Sequence, residues 1–185
     1  MVLLLALAGS ACETTDKGSA PATSAATIAP PATTEAANPA EQAVLTNAVS
    51  RYWAVYSSIY NDPRQDLAIV ATVAGGEEAA SLRDQAGQLA AQGIVSVGAV
   101  TVARLTVGSL TPSPVAGGPT TANVTTCNDV SSVSGVDPSG ASVVDPNRLP
   151  QTQAAVRLQN STPDDPAGWR VIQVRTGPTV PCGPS

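Results

Sequence analysis

The stretch NPAEQAVLTNAVSRYWAVYSSIYN, residues 38–61, decides the fold of this chain. Asn38 is a suitable N-cap, Pro39 suits the first helical position, and Glu41 completes a capping box. Apolar side chains then recur at spacings of three and four residues, at Val44, Ala48, Tyr52, Val55 and Ile59. This pattern predicts a long, well-buried helix that ends near Asn61.

Two further helices are predicted directly after the first. Asp62-Pro63 repeats the helix start signal, and a shorter helix follows until Gly75-Gly76 stops it. A third helix is predicted over residues 77–92, with Gly93 as its C-cap. Its first turn carries Glu77 and Glu78, a carboxylate pair that we interpret as stabilising the helix dipole.

The remainder of the chain is rich in Val and Thr, which favours strands. Strands are predicted over residues 95–107, with a bend at Gly98, and over 120–130, 153–159 and 169–176. A polar excursion containing a turn at residues 137–140 separates the second predicted strand from the third. Helices first and strands afterwards predict an α+β fold, with three N-terminal helices on a curved, mostly antiparallel sheet of about four to six strands.

The N-terminal region has the layout of a bacterial lipoprotein. Residues 1–11 form a short apolar run that ends in small residues, which predicts a signal peptide and lipidation of Cys12. No basic residue precedes the run and Gly9 stands three residues before Cys12, so we expect the natural start to lie upstream of Met1. Residues 12–38 are rich in Ala, Pro and Thr and predict a disordered tether.

This layout predicts a folded domain over residues 39–185, held by lipid on Cys12 at the outer face of the cytoplasmic membrane. The alternative for the N-terminal segment is a buried element with an ordinary core cysteine. The three cysteines can be accounted for if Cys12 carries the lipid and Cys127 pairs with Cys182. The alternative is that Cys127 and Cys182 are both free.

Composition excludes several classes of chemistry. The chain has no His, and its only Lys is Lys17 in the predicted tether. Catalysis by Ser-His-Asp, Cys-His or Ser-Lys groups is therefore excluded in the domain, as are His-based metal sites. The net charge of −5 is of the wrong sign for nucleic acid. We expect no metal, no cofactor and no nucleic-acid partner.

Several short motifs occur in an order that resembles a known family. They are the aromatic cluster at residues 52–56, Asn61 with Asp62-Pro63, Cys127-Asn128-Asp129, Gly168-Trp169-Arg170-Val171, and Cys182. Over residues 39–185 the chain resembles actinobacterial lipoproteins with a nuclear transport factor 2-like (SnoaL-like) domain. The resemblance implies a cone of three helices against a curved sheet, an apolar hollow inside the cone, and a Cys127–Cys182 disulfide. It implies no particular activity, because folds of this kind carry many functions.

Two kinds of site follow as hypotheses. Tyr52, Trp53, Tyr56 and Trp169 are candidates for lining a pocket, although aromatic residues of this kind are more often core. Asp129, as a carboxylate base with Tyr52 or Tyr56 as the proton donor, is a candidate for proton transfer. The plainer alternative for Asp129 is capping a turn.

The expected function is therefore a non-enzymatic module that binds an envelope protein or a small hydrophobic ligand. Such a module would suit an accessory role in an envelope transport or secretion complex. The alternative is a cofactor-free isomerase or hydratase that uses Asp129.

Overall fold

A helical N-terminal half is followed by a β-rich C-terminal half. The computed structural model describes residues 36–177 and Cys182. The predicted signal peptide, Cys12 and the tether up to residue 35 lie outside the described residues. The elements are α1 Pro39–Asn61, a 3₁₀ helix Leu67–Thr72, α2 Gly76–Gln92, β1 Val95–Val97, β2 Thr101–Thr111, β3 Thr120–Asp129, β4 Ser134–Val136, β5 Gln151–Asn160, a short 3₁₀ helix Pro166–Gly168 and β6 Trp169–Gly177. The α+β prediction is confirmed.

The first helix begins as its sequence predicts. The Asn38 side chain accepts a hydrogen bond from the Glu41 backbone N–H at 3.0 Å, and the Glu41 carboxylate accepts from the Asn38 backbone N–H at 2.8 Å. These two bonds form the capping box. The third predicted helix, α2, also ends where the sequence predicts, because Gly93 adopts the left-handed C-cap conformation with φ of 67°.

The second predicted helix is a 3₁₀ helix, and it is shorter than the pattern indicated. Asp66 caps it by accepting from the Ala68 N–H. Beyond Val73 the chain leaves the helix and runs beside β6: Gly75 N–H donates to the Val171 carbonyl, and Val171 N–H donates to the Val73 carbonyl. The Val73 carbonyl and the Gly75 N–H therefore form hydrogen bonds with β6, so they are not free for the hydrogen bonds of a longer helix.

Four strands form the main sheet, in the order β2-β3-β5-β6, and all neighbours are antiparallel. Register shifts interrupt the β2–β3 ladder twice and the β5–β6 ladder once. Such irregularities increase local twist and bend a sheet, so they account for a curved sheet. Helices α1 and α2 pack against it, and the core lies between.

A separate two-stranded sheet joins β1 to β4. The predicted strand over residues 95–107 is thus divided, and its bend at Gly98 separates strands of different sheets. Strand β4 lies in the polar excursion and was not predicted, because Ser134-Gly135-Val136 is short and poor in strand-favouring residues. The adjoining turn is confirmed, since Gly140 N–H donates to the Asp137 carbonyl at 2.9 Å.

The junction between β1 and β2 is held to the C-terminal half of α1. Ser57 is buried, donates to the Trp53 carbonyl at 2.8 Å and accepts from the Val100 N–H at 2.9 Å. Asn61 donates to the Gly98 carbonyl at 2.9 Å. Within residues 36–177, none of the helices has the length and hydropathy that a membrane span requires.

Candidate functional site

A cavity of about 220 Å³ lies between α1, α2 and the sheet, and it is called the polar cavity below. Helix α1 and helix α2 supply one side of it, while β3, β5 and β6 supply the other. Its lining residues are Tyr52, Trp53, Tyr56, Glu78, Ser81, Gln85, Val100, Asn128, Val130, Thr152, Val174 and Thr176. Three of the four aromatic residues predicted to line a pocket therefore meet here.

A hydrogen-bonded carboxylate ties three elements together at the polar cavity. Tyr52 Oη donates to Glu78 Oε1 at 2.6 Å, and the backbone N–H of Val174 donates to Glu78 Oε2 at 3.0 Å. Tyr52 is almost completely buried. Glu78 thus connects α1, α2 and β6, which goes beyond the dipole role that the sequence indicated for it.

Two buried polar atoms of residues that line the polar cavity have no hydrogen-bond partner among the described residues. They are Nε1 of Trp53 and Oδ1 of Asn128. The Trp53 side chain is 4% exposed and Asn128 is 1% exposed. One atom is a donor and the other is an acceptor, and each is a buried polar group without a partner in this part of the chain.

The tyrosines of α1 lie in a row along the helix and are kept neutral; Tyr56 and Tyr60 stack, whereas Tyr52 is tilted against Tyr56. Burial, followed by the nearby Glu78 carboxylate, raises the pKa of Tyr52 well above its ordinary value. Burial and the neighbouring Tyr60 raise the pKa of Tyr56 in the same way. The rings of Tyr56 and Tyr60 stack with centroids 4.3 Å apart, and the Tyr60 hydroxyl donates to the Gln85 side chain. These phenols therefore act as neutral hydrogen-bonding groups at ordinary pH.

A second cavity of about 400 Å³, called the apolar cavity below, adjoins the polar cavity. The two share Tyr56, Val100 and Val130 in their walls. The apolar cavity extends from the end of α1 to the two-stranded sheet. Its other lining residues are Ser57, Tyr60, Asn61, Leu89, Ile94, Ser96, Gly98, Val133, Gly135, Val143, Val144 and Arg148.

Asp129 lies on the opposite face of the sheet from these cavities. Side chains alternate along β3, and Asn128 points toward the helices while Asp129 does not. The Asp129 carboxylate accepts from the hydroxyl and backbone N–H of Ser131, at 2.6 and 2.8 Å, and from Gln151. These hydrogen bonds lower the pKa of Asp129, and the bond from the Ser131 hydroxyl has the largest effect.

The structure therefore gives Asp129 the turn-capping contacts of the plainer alternative. It does not bring Asp129 together with Tyr52 and Tyr56 in one cavity. A general base that works in an apolar pocket requires a raised pKa, and the pKa of Asp129 is moved in the other direction.

Trp169 is also separate from the other three aromatic residues. It lines a third cavity of about 390 Å³ beside the N-terminal end of α1. All four predicted pocket-lining residues therefore line cavities, but Trp169 lines a different one from Tyr52, Trp53 and Tyr56. The reason is position: Trp169 begins β6, whereas Tyr52 faces the middle of that strand through Glu78 and Val174.

Cys127 and Cys182 form a disulfide with their Cα atoms 5.6 Å apart. The pairing that the sequence indicated is present, and it closes a sequence separation of 55 residues. Among the described residues, no group of three or more Cys, Asp or Glu side chains is arranged to hold a metal ion.

Comparison with known proteins establishes only the fold. No protein-family model matches the chain, and no curated protein matches it. The chain is similar to the crystal structure of the intermembrane space region of chloroplast protein ARC6, with a TM-score of 0.51 and 18% identity over 74% of this chain and 96% of that one. At this identity the likeness shows a shared fold alone.

A solution NMR structure of a de novo designed β-sheet protein also aligns with the chain. Its TM-score is 0.35 at 15% identity, over 74% of this chain and 91% of the designed protein. This similarity is too low to indicate a shared fold.

Sequence reasoning overlooked the part played by Glu78 and Asn128. Glu78 sits beside Glu77 in a helix start, where a dipole role is sufficient to explain both. The sequence did contain a signal for Asn128, because side chains alternate between the two faces of a strand. Asn128 lies on the same face of β3 as Ala122, Val124 and Thr126, so its amide is expected to face the core.

Proposed function

We propose that the folded domain binds a small, largely apolar molecule in the hollow formed by the polar and apolar cavities. The observation that carries this proposal is that two neighbouring cavities share Tyr56, Val100 and Val130 in their walls. The apolar cavity alone, at about 400 Å³, has the size of a small-molecule site.

The wall chemistry supports an apolar ligand with a polar end. The apolar cavity is lined by a leucine, an isoleucine and five valines, with Arg148 as its one charged side chain. The polar cavity contains Glu78, Asn128 and the phenol of Tyr52. Sites with apolar walls and a few convergent polar groups are typical of ligand-binding proteins.

The proposed function also includes a cellular location for the domain. We propose that the chain is a lipoprotein of the nuclear transport factor 2-like type, anchored through Cys12 with its domain outside the cytoplasmic membrane. The Cys127–Cys182 disulfide supports this, because disulfides persist in exported proteins and are rare in reducing compartments.

A second candidate function is docking of an envelope protein, for example a component of a transport or secretion complex. The observation that favours it is a set of exposed valines on the two-stranded sheet. Val95 and Val136 are paired across β1 and β4 and both are exposed, and Val97 is 61% exposed. Apolar side chains grouped on one small sheet are typical of an interaction surface.

Native mass spectrometry of the full-length chain from its original host tests the ligand proposal. A covalent lipid remains attached when the protein is denatured, whereas a ligand in the hollow is lost. We expect an additional mass in the native spectrum only. A native mass equal to the denatured mass, in protein purified without competing detergent, would favour the docking function instead.

A matched pair of variants connects the additional mass to the hollow. Val144→Trp fills the apolar cavity, which Val144 lines, and should remove the ligand. Val97→Trp adds the same side chain to the neighbouring β1, outside the cavity lining, and should retain it. Equal ligand content in the two variants would contradict binding in the hollow.

A further inference from the structure

We propose that the molecule held in the hollow is an amphiphile with an anionic head group, a carboxylate or a phosphate monoester, that binds Arg148 at the outer end of the apolar cavity. The alkyl chain of this molecule lies in the apolar cavity. This inference rests on the proposed ligand-binding function, and it specifies the chemical class of the ligand and its direction in the hollow.

Arg148 belongs both to the apolar cavity and to a groove at the surface. This groove, of about 640 Å³, is called the outer groove below. The apolar cavity and the outer groove share Val133, Val144 and Arg148 in their walls. The other residues of the outer groove are all exposed: Ser131, Ser134, Ser142, Asp145, Pro146 and Pro150. An alkyl chain in the apolar cavity can therefore have its head group beside Arg148 and in contact with water.

One backbone contact fixes the position of the Arg148 guanidinium. Its Nη2 donates to the carbonyl of Val133, a residue that itself lines the apolar cavity and the outer groove. The charged end of this half-buried side chain is thus held at the junction of the two.

The rest of the Arg148 guanidinium is available to a ligand. Among the described residues, its other N–H groups have no partner and it forms no ion pair. Hydrogen bonds from a guanidinium to an anionic oxygen are about twice as strong as bonds between neutral groups. A carboxylate or phosphate therefore gains more at this position than an alcohol, ketone or amide does.

Opposite charges at the two ends of the hollow set the direction of such a ligand. Arg148 is the charged side chain in the walls of the apolar cavity, and Glu78 is the charged side chain in the walls of the polar cavity. Glu78 repels an anionic head group, whereas Arg148 attracts it. Asp145 also lines the outer groove, but its carboxylate is exposed and accepts from the Asn147 N–H at 2.8 Å, so water and salt screen its repulsion.

The test uses four probes with the same alkyl chain: decanoate, decyl phosphate, decan-1-ol and decyltrimethylammonium. Isothermal titration of each into the unmodified full-length protein at neutral pH measures the affinities. We expect at least one of the two anions to bind about tenfold more tightly than decan-1-ol, since only an anion gains the charge-assisted bonds. The cation should bind more weakly than the alcohol, because Arg148 repels it. The tighter of the two anions identifies the head group as a carboxylate or a phosphate.

Variants of Arg148 then assign the preference to its charge. Arg148→Gln removes the charge and keeps an N–H donor for the Val133 carbonyl, so it should reduce the preference for the anion over the alcohol to about twofold or less. Arg148→Lys keeps the charge and should retain a preference of about threefold or more. The matched control is Arg64→Gln. Arg64 also donates to a backbone carbonyl, that of Ala90, and lies outside the walls of the apolar cavity and the outer groove, so the preference should be unchanged.

The outcomes distinguish this inference from the proposed function. Equal affinity for the anions and the alcohol, or tightest binding of the cation, would overturn the anionic head group and leave the ligand-binding function intact. A preference for the anion that persists in Arg148→Gln would mean that another group holds the head group, and would overturn the inference in the same way. No binding by any of the four probes would overturn both.

Discussion

The hydroxyl of Tyr52 and the carboxylate of Glu78 are joined by a 2.6 Å hydrogen bond that connects α1 to α2. The other oxygen of the carboxylate accepts from the Val174 backbone N–H of β6. One side chain therefore fixes the relative positions of two helices and an edge strand around the polar cavity. Strand β6 is the last strand in the order β2-β3-β5-β6, and the segment that pairs along its outer side does so at Val171, so Glu78 supplies the acceptor for Val174.

Replacing Glu78 should destabilise the domain much more than replacing its neighbour. Glu78→Ala leaves the buried Tyr52 hydroxyl and the Val174 N–H without their acceptor. We expect a loss of about 2 kcal/mol or more in the free energy of unfolding, measured by urea denaturation.

Glu77→Ala is the matched control, because Glu77 is exposed in the same first turn of α2. Both substitutions remove a charge that the helix dipole favours, and only one removes the long-range contacts. Equal losses in the two variants would mean that the carboxylate pair acts through the dipole alone and that the Tyr52 bond contributes little.

Alkaline pH should unfold the domain by ionising its tyrosines. Burial raises the pKa of Tyr52, Tyr56 and Tyr60 in the folded state above the ordinary value of 10.0. Above about pH 10 the unfolded chain loses these protons while the folded chain keeps them, so stability falls as pH rises. Each tyrosine that stays protonated adds a slope of about 1.4 kcal/mol per pH unit.

Urea midpoints between pH 9 and 11.5, together with tyrosinate absorbance, measure this effect. The midpoint should be constant up to about pH 10 and then fall, with tyrosinate appearing only as the protein unfolds. Tyr56→Phe removes one of the buried phenols and should make the fall less steep. Tyrosinate that appears in full before any loss of structure would contradict the buried, neutral state.

Reducing the disulfide should destabilise the domain without altering its topology. The bridge closes a sequence separation of 55 residues, for which the chain-entropy relation gives about 4 kcal/mol. Thermal unfolding with and without a phosphine reductant measures the loss. The variant Cys127→Ala, Cys182→Ala should be equally destabilised and insensitive to the reductant. An unchanged melting temperature on complete reduction would show that the bridge adds no stability.

Local signals in the sequence were sufficient for most elements of the fold. The capping box at Asn38 and Glu41 predicted where α1 begins, and Gly93 predicted where α2 ends. Local sequence signals did not predict strand β4, because Ser134-Gly135-Val136 adopts a strand conformation through its pairing with β1. That pairing is a long-range contact and leaves no period in the sequence.

The candidate site was predicted only in part, for the same physical reason. The aromatic side of the hollow follows from the spacing of Tyr52, Trp53 and Tyr56 on one helix. The partners of these residues come from α2 and β3, and nothing in the local pattern distinguishes Glu78 from Glu77. Asp129 was a stronger candidate than Asn128 by residue type alone, whereas the face of the strand decides which of them meets the cavity.

The junction between the two sheets should be intolerant of any side chain at Gly98. This residue has φ of 95°, and a Cβ atom placed on it would lie 2.2 Å from the carbonyl oxygen of Ser132. The Gly98 carbonyl also accepts the hydrogen bond from Asn61 that holds the junction to α1. Gly98→Ala therefore has to move the backbone of β1 or of the segment before β4.

We expect Gly98→Ala to reduce the free energy of unfolding by about 2 kcal/mol, since a left-handed backbone and a steric clash both oppose it. It should also weaken ligand binding, because Gly98 lines the apolar cavity. The matched control is Gly87→Ala in α2, where a Cβ atom meets nothing within 4 Å. That substitution should stabilise the domain by about 1 kcal/mol through helix propensity. If urea denaturation gave the two variants the same stability, the close approach of Gly98 to Ser132 would not constrain this junction.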